Sequence, residues 1–347
     1  MSIGNHRQRL LLLLGILSAF GLRLFHLGQE SLWYDETVSV VLARKSVPAL
    51  IAHTAGDIHP PGYYLLLHLW QQLVNPTLAH GLEYLFAWPS VLFGMLMVVL
   101  LYPLGRRLFA PGVAGVGLWL AAMHPYQIWY SQEVRMYTVG ATLGLLCLWA
   151  AVNVFHATAP VNTTAERQPH GIPQGKRRWW LLLYVIAGAL GLYTLYYFLF
   201  LLIAVNLLAL CYLLLPISSQ EHSSNLSPSS RPRFLDWSGA QLLLLLLWSP
   251  WLPIFWRQAT APPVPPWRVP WHSVTTLLAA GSESISALVV GQSAPFADHW
   301  VWLLIGGLLL STAFLYYTNE QQAGVTVVLL YALLPITLIY LITALLT

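Results

Sequence analysis

The chain alternates long apolar runs with short polar stretches. The runs are rich in Leu and lack residue-by-residue alternation, so they predict helices and not strands. Spans are expected near 10–27, 86–104, 113–128, 138–156, two within 179–215 broken near 191–197, then 239–255, 300–317 and 325–346. Most are about 17–22 residues long, which suits helices crossing a hydrocarbon core of about 30 Å. Two further apolar segments read differently. Residues 61–74 are too few to cross, and 273–290 is interrupted by Gly281, Glu283 and several Ser and Thr. The second could count as a further span, but both are expected to lie flat on the outer surface.

Composition sharpens this pattern into a class. Hydrophobic residues make up 57% of the chain and charged residues 8%, against about 25% charged in a soluble domain. The fold class is therefore all-α, a polytopic transmembrane helical bundle of about nine spans. The 16 Trp and 17 Tyr fit two interfacial belts. Cys147 and Cys211 lie inside apolar runs and give neither a disulfide framework nor a metal-ligand spacing. The first run lacks a small-residue cleavage site and reads as a retained helix. Three parts are expected: a core over 1–260 with its first outer loop at 29–64, an outer loop with a surface helix over 261–299, and C-terminal helices over 300–347.

Charge gives the orientation. Arg7 and Arg9 precede the first run and put the N-terminus in the cytoplasm. The inner segments then hold ten basic residues: Arg7, Arg9, Arg106, Arg107, Arg167, Lys176, Arg177, Arg178, Arg231 and Arg233. The outer ones hold five: Arg44, Lys45, Arg135, Arg257 and Arg268. That asymmetry agrees with the positive-inside rule. The same topology puts eight of the 12 acids outside: Glu30, Asp35, Glu36, Asp57, Glu83, Glu133, Glu283 and Asp298. It makes the sequon Asn162-Thr163-Thr164 cytoplasmic, hence a chance match. No phosphate-cradling Gly loop occurs, and the inner loops are too short for a nucleotide domain. An activated donor would be lipid-borne.

The scarce charges cluster in motif-like positions. Trp33-Tyr34-Asp35-Glu36 follows the first span, and Asp57-Ile58-His59-Pro60-Pro61-Gly62-Tyr63-Tyr64 closes the same loop. Charge near a membrane is expensive and marks function unless it is paired. The bland readings are a solvated acidic pair and a helix-entry turn. Glu133 and Arg135 sit at the outer mouth of the fourth span, where mutual neutralisation competes with function, and Glu133 and Tyr137 would share a helix face. Arg23 is expected to snorkel to the interface, and His124 before Pro125 to end the third span. Tyr193–Tyr197 and Trp248–Trp251 could line a sugar or lipid pocket, or simply belong to the belts. The acids come from separate segments onto one outer face.

The order of these motifs, together with Gly105-Arg106-Arg107-Leu108-Phe109, Tyr130-Ser131-Gln132-Glu133-Val134-Arg135-Met136-Tyr137 and Trp251-Leu252-Pro253, resembles the GT-C superfamily of membrane glycosyltransferases. More narrowly it is similar to the family 39 group, related to protein O-mannosyltransferases and the aminoarabinose transferase of lipid A. The likeness covers roughly the first 260 residues. It implies a polyprenyl-phosphate sugar donor, a lipid, glycan or protein acceptor, and an active site on the outer face of a bacterial inner membrane, in the cell envelope. It implies that Asp35 is the catalytic acidic residue of the first outer loop, with Glu36 beside it, and that Glu133 is the acidic residue of the second. His59 falls near the donor phosphate, and Asp57, Tyr63, Arg135 and Tyr137 are expected to bind substrate. Relatives often carry a His within the Tyr-rich segment, where this chain has Leu195.

An inverting reaction follows, with Asp35 as base toward an acceptor hydroxyl and Arg135, His59 or a divalent cation stabilising the leaving phosphate. Should the acceptor itself be a phosphate, Asp35 would only orient it. Candidate metal ligands are Asp35, Asp57, His59 and Glu133. Two other classes compete: a flippase for lipid-linked sugars, whose charges would line the membrane midplane, and a non-catalytic membrane subunit.

Overall fold

The computed structural model describes residues 3–74, 81–155, 174–214, 230–261, 263, 273–291, 295–316 and 319–346. Every regular element among them is an α-helix. The sequon, most of 157–178 and 216–233, and the prolines at 262, 265 and 266 lie outside the described residues.

Helix α1 (Ile3–Leu24) enters the bundle. Two short helices, α2 (Tyr34–Ala43) and α3 (Val47–Ala55), follow within the expected outer loop, and α4 (Gly62–Val74) is the short helix expected after it. The chain then runs through α5 (Leu82–Leu108), α6 (Pro111–Met123), α7 (Pro125–Gln132), α8 (Tyr137–Phe155), α9 (Gln174–Thr194), α10 (Phe198–Leu214) and α11 (Ser230–Trp248). It closes with α12 (Leu252–Thr260), α13 (Val274–Val289), α14 (Phe296–Tyr316) and α15 (Asn319–Leu346).

Contacts fix the alternation. Gln8 near the start of α1 bonds Tyr102 near the end of α5, and Arg177 at the start of α9 pairs with Asp236 at the start of α11. At the opposite end Arg23 meets the end of α6, and Gly62 meets the end of α9. Among the described residues three stretches are long and apolar enough to cross a membrane alone: Leu82–Leu108, Tyr137–Phe155 and Gly324–Ile342. A fourth is the pair α11–α12 if it counts as one span. Helix α8 is the centre of the bundle, 83% buried along its apolar window, and α15 is peripheral at 11%.

Several boundaries differ from the expected ones, each for a local reason. The third span stops at Met123 because Pro125 holds His124 in an extended conformation and restarts the chain as α7. The seventh stops at Trp248, where Ser249-Pro250 turns the chain and α12 leaves at 76°. Glu133 and Tyr137 do not share a helix: α7 ends at Gln132 and α8 begins at Tyr137.

Arg23 does not snorkel. It is fully buried, at 0% exposure. Its guanidinium donates to the carbonyls of Ala19 (3.1 Å), Ala121 (3.4 Å) and Ala122 (3.2 Å) and to Ser131 Oγ (3.1 Å). The last carbonyls of α6 lack helical partners and carry partial negative charge, so a cation is the fitting cap. Gln132 returns the tie by donating to the carbonyls of Arg23 and Phe25. Space for the guanidinium comes from Gly94, whose Cβ would lie 3.3 Å from Arg23 Nε and 2.2 Å from Ser131 Oγ.

Helix α4 is amphipathic and has 13 residues, fewer than the ~20 needed to cross. Tyr63, Tyr64 and Leu67 are buried, whereas Leu69 and Leu73 are exposed. Its first residue must be glycine: a Cβ on Gly62 would lie 2.5 Å from the Tyr193 carbonyl oxygen. That neighbour is backbone and cannot swing away. Gly62→Ala is therefore expected to destabilise by about 1–3 kcal/mol, the usual scale of overpacking. Gly112→Ala, with open space around its new methyl, serves as control. Thermal unfolding in detergent should separate the two, and equal midpoints would refute the close approach.

Candidate active site

The site is built where α2 meets the α7–α8 break. Trp33 is extended before α2, and Asp35 and Glu36 fall in its first turn, where the helix dipole favours acids. Glu36 is buried, and both its oxygens are engaged. One accepts from its own helix start, the Trp33 N–H at 3.2 Å. The other accepts from the Val134 N–H at 2.7 Å. The structure thus gives this residue, expected to be catalytic, a tether between two loops and no direct role toward a reacting atom. Val134 N–H is available because α7 has ended; Thr138 Oγ1 donates instead to the Tyr130 carbonyl.

That tether sets Arg135 beside Asp35. Arg135 Nη2 lies 3.3 Å from Asp35 Oδ2, and Nη1 donates to the Asp35 carbonyl at 3.3 Å. Nη2 also faces His59 Nε2 at 3.4 Å and Tyr137 Oη at 3.5 Å. The guanidinium carbon lies 5.8 Å from the Trp33 ring centre and 5.6 Å from that of Tyr137, within cation–π range. Burial works against the charge, yet Tyr137 and Asp35 outweigh it and hold Arg135 above its ordinary value. The side chain of Asp35 remains 35% exposed, against 5% for Arg135. Arg135 Nε is buried and has no hydrogen-bond partner among the described residues.

Tyr63, expected to bind substrate, is instead a support. It is buried beneath the site, its hydroxyl 3.3 Å from Ser90 Oγ, which donates to the Arg135 carbonyl at 3.4 Å. Burial pushes its pKa upward, so it stays a neutral phenol.

His59 arrives on the turn after α3. Desolvation, with Arg135 adding to it, lowers its pKa against the Ile58 backbone and Asp57. It is therefore neutral at pH 7, and among the described residues of the site Arg135 carries the positive charge. The turn is held by residues the sequence did not single out. Gln258 of α12 donates through its side-chain amide to the carbonyls of Thr54, Ala55 and Asp57, and Arg257 donates to Ala55.

Glu133 follows α7 and accepts from Trp129 Nε1 at 2.6 Å. It lies within electrostatic reach of Glu36, Arg135 and Asp35. The structure thus brings Asp35, Glu36, His59, Glu133, Arg135 and Tyr137 together, with Asp57 behind His59. No group of three or more His, Cys, Asp or Glu among the described residues is gathered to hold a divalent cation. Glu36 has spent its oxygens on N–H donors, and Arg135 already occupies the cation's place beside Asp35.

No family model and no curated protein matches the chain. Two solved structures are similar to it. The archaeal oligosaccharyltransferase AglB from Archaeoglobus fulgidus, in complex with an inhibitory peptide and a dolichol-phosphate, aligns with a TM-score of 0.51 at 14% identity, over 99% of this chain and 38% of that one. A crystal structure of an Archaeoglobus fulgidus oligosaccharyltransferase with Zn and sulfate aligns at 0.46 and 13%, over 95% and 49%. The first likeness, at 14% identity, is one of fold alone: a bundle of membrane helices. The chain spans well under half the length of that neighbour.

Desolvation raises the Glu133 pKa, against the Trp129 hydrogen bond. A carboxyl raised on folding keeps protons that the unfolded chain has released. Folding stability is then lost as pH rises from about 4.3 through the folded value. Glu133→Gln removes this dependence while its carbonyl can still accept from Trp129. The variant should gain in unfolding midpoint over the parent between pH 4 and pH 7; a constant difference would contradict the burial argument.

Proposed function

We propose that the chain carries the catalytic core of a membrane glycosyltransferase of the family 39 kind, moving a sugar from a polyprenyl-phosphate donor to an acceptor hydroxyl with inversion. The observation that carries this reading is the pair Asp35–Arg135: a half-exposed carboxylate 3.3 Å from a buried guanidinium whose Nε has no partner. A buried, unpaired N–H is costly, and a phosphate oxygen would satisfy it while Nη2 holds the adjacent edge. The capture of a dolichol-phosphate by AglB supports a lipid-linked phosphate as the ligand. Exposed Trp33, Tyr34, Trp129 and Tyr137 around the pair offer flat faces for a sugar.

In the reaction Asp35 takes the proton of the acceptor hydroxyl as its oxygen bonds the anomeric carbon from the face opposite the phosphate. The bond from that carbon to the phosphate oxygen breaks, and polyprenyl phosphate leaves with the electron pair. Arg135 takes up the charge there. Neutral His59 and Tyr137 orient the guanidinium, and Glu36 keeps the two loops in register. The step needs no divalent cation, because Arg135 does that work.

Asp35→Asn keeps the shape and removes the base. Turnover should fall by about 10²–10⁴, binding of polyprenyl phosphate should persist, and EDTA should leave the parent rate unchanged. Full transfer to a hydroxyl acceptor by Asp35→Asn would rule out the base assignment. The site end is proposed to face away from the cytoplasm of a bacterial inner membrane. In a chain freed of Cys147 and Cys211, an impermeant thiol reagent outside the cell should modify Ser31→Cys and spare Arg107→Cys; the opposite labelling would invert the topology.

A further inference from the structure

The bend after Trp248 has a consequence at the site. It lays α12 across the end of α3, some 200 residues back along the chain. The turn after α3 closes part of the helix end, with the Asp57 N–H on the Thr54 carbonyl, and Gln258 adds a donor from outside. Its amide nitrogen donates to Thr54 (2.9 Å), Ala55 (3.2 Å) and the Asp57 carbonyl beyond the helix. The amide is itself oriented: Tyr196 Oη, in the turn between α9 and α10, donates to Gln258 Oε1 and accepts from Trp251 Nε1 at 2.8 Å. Gln258 is buried, so water cannot stand in for it. The chain Trp251–Tyr196–Gln258–Asp57 thus joins three separate bends into one hydrogen-bonded clamp. Two residues past Asp57, His59 meets Arg135.

We propose that Gln258 is the positioning residue of the site, fixing the Asp57–His59 turn so that His59 stays against Arg135; its effect on turnover rests on the transferase reading. The amide is required and not just its shape, because three carbonyl oxygens demand a donor. Gln258→Glu is nearly isosteric and can still accept from Tyr196, but it sets a carboxylate against those carbonyls.

The test uses the full chain in detergent or vesicles. Backbone hydrogen exchange over Gly56–His59 should quicken by about tenfold in Gln258→Glu, since local opening sets the exchange rate. Modification of His59 by diethyl pyrocarbonate, read by peptide mass spectrometry, should quicken with it, while exchange in α8 stays at the parent rate. In transfer assays kcat should fall by up to about 10²-fold, the scale of a small misplacement, with KM for the lipid donor unchanged. Should Gln258→Glu not fold, Tyr196→Phe removes only the orienting hydroxyl and should give the same local changes in smaller measure. Unchanged exchange and His59 labelling in a folded variant overturn the clamp, whatever the activity. Local loosening with parental kcat overturns its link to the reaction. A parent chain inactive toward every polyprenyl-phosphate sugar sinks the transferase reading, and the exchange result still decides the clamp.

Discussion

The arrangement depends on one carboxylate. Glu36 has its oxygens on two backbone N–H groups, one at the start of its own helix and one 98 residues later. Charge-assisted bonds of this kind are roughly twice as strong as neutral ones, and a buried acid gains back from them part of what desolvation takes away. The competition shows in its pKa, raised by burial and lowered by both N–H groups and by Arg135. Without the tether Asp35 and Arg135 would belong to loops free to separate. With it, the Arg135 guanidinium is stacked between Trp33 and Tyr137 and paired on one edge.

A second buried charge serves the first. Arg23 has no acid partner among the described residues and is met by three backbone carbonyls and the Ser131 hydroxyl. An arginine there is costly unless every donor finds an acceptor. Three of its four bonds lock the end of α1 to the α6–α7 corner, and that corner delivers Glu133 and Arg135. The residues that permit it are small: Gly94 leaves the room and Ser131 supplies the acceptor. Support for the site therefore descends a full helix turn into the bundle, where no loop motif would reveal it.

Class, helix order and the gathering of scarce charge were legible, because apolar run lengths and the cost of charge act locally along the chain. The α9–α10 break near Tyr196 and the short α4 were legible for the same reason. Partner choice was not. Tyr63 stands in the motif beside His59, yet it faces Ser90 in the core. Glu36 looks like the twin of Asp35, yet successive residues on a helix point about 100° apart, so one faces inward and the other outward. Gln258 carries no signal at all, since its three acceptors lie some 200 residues earlier.

The break between α7 and α8 shows how the site overrides local preference. Residues 133–136 contain neither Gly nor Pro, and Glu, Arg and Met favour helix. A continuous helix would have spent Val134 N–H on Tyr130. Instead Thr138 Oγ1 takes the Tyr130 carbonyl, Glu36 takes Val134 N–H, and Ser90 takes the Arg135 carbonyl. These three backbone groups lost to the helix are recovered by side chains, which offsets part of the cost of the interruption. In return Arg135 leaves the helix surface and turns into the space between Asp35, His59 and Tyr137. A guanidinium on a bare helix would have reached for water; held in this break, it is desolvated, oriented and left with one N–H to give to an anion.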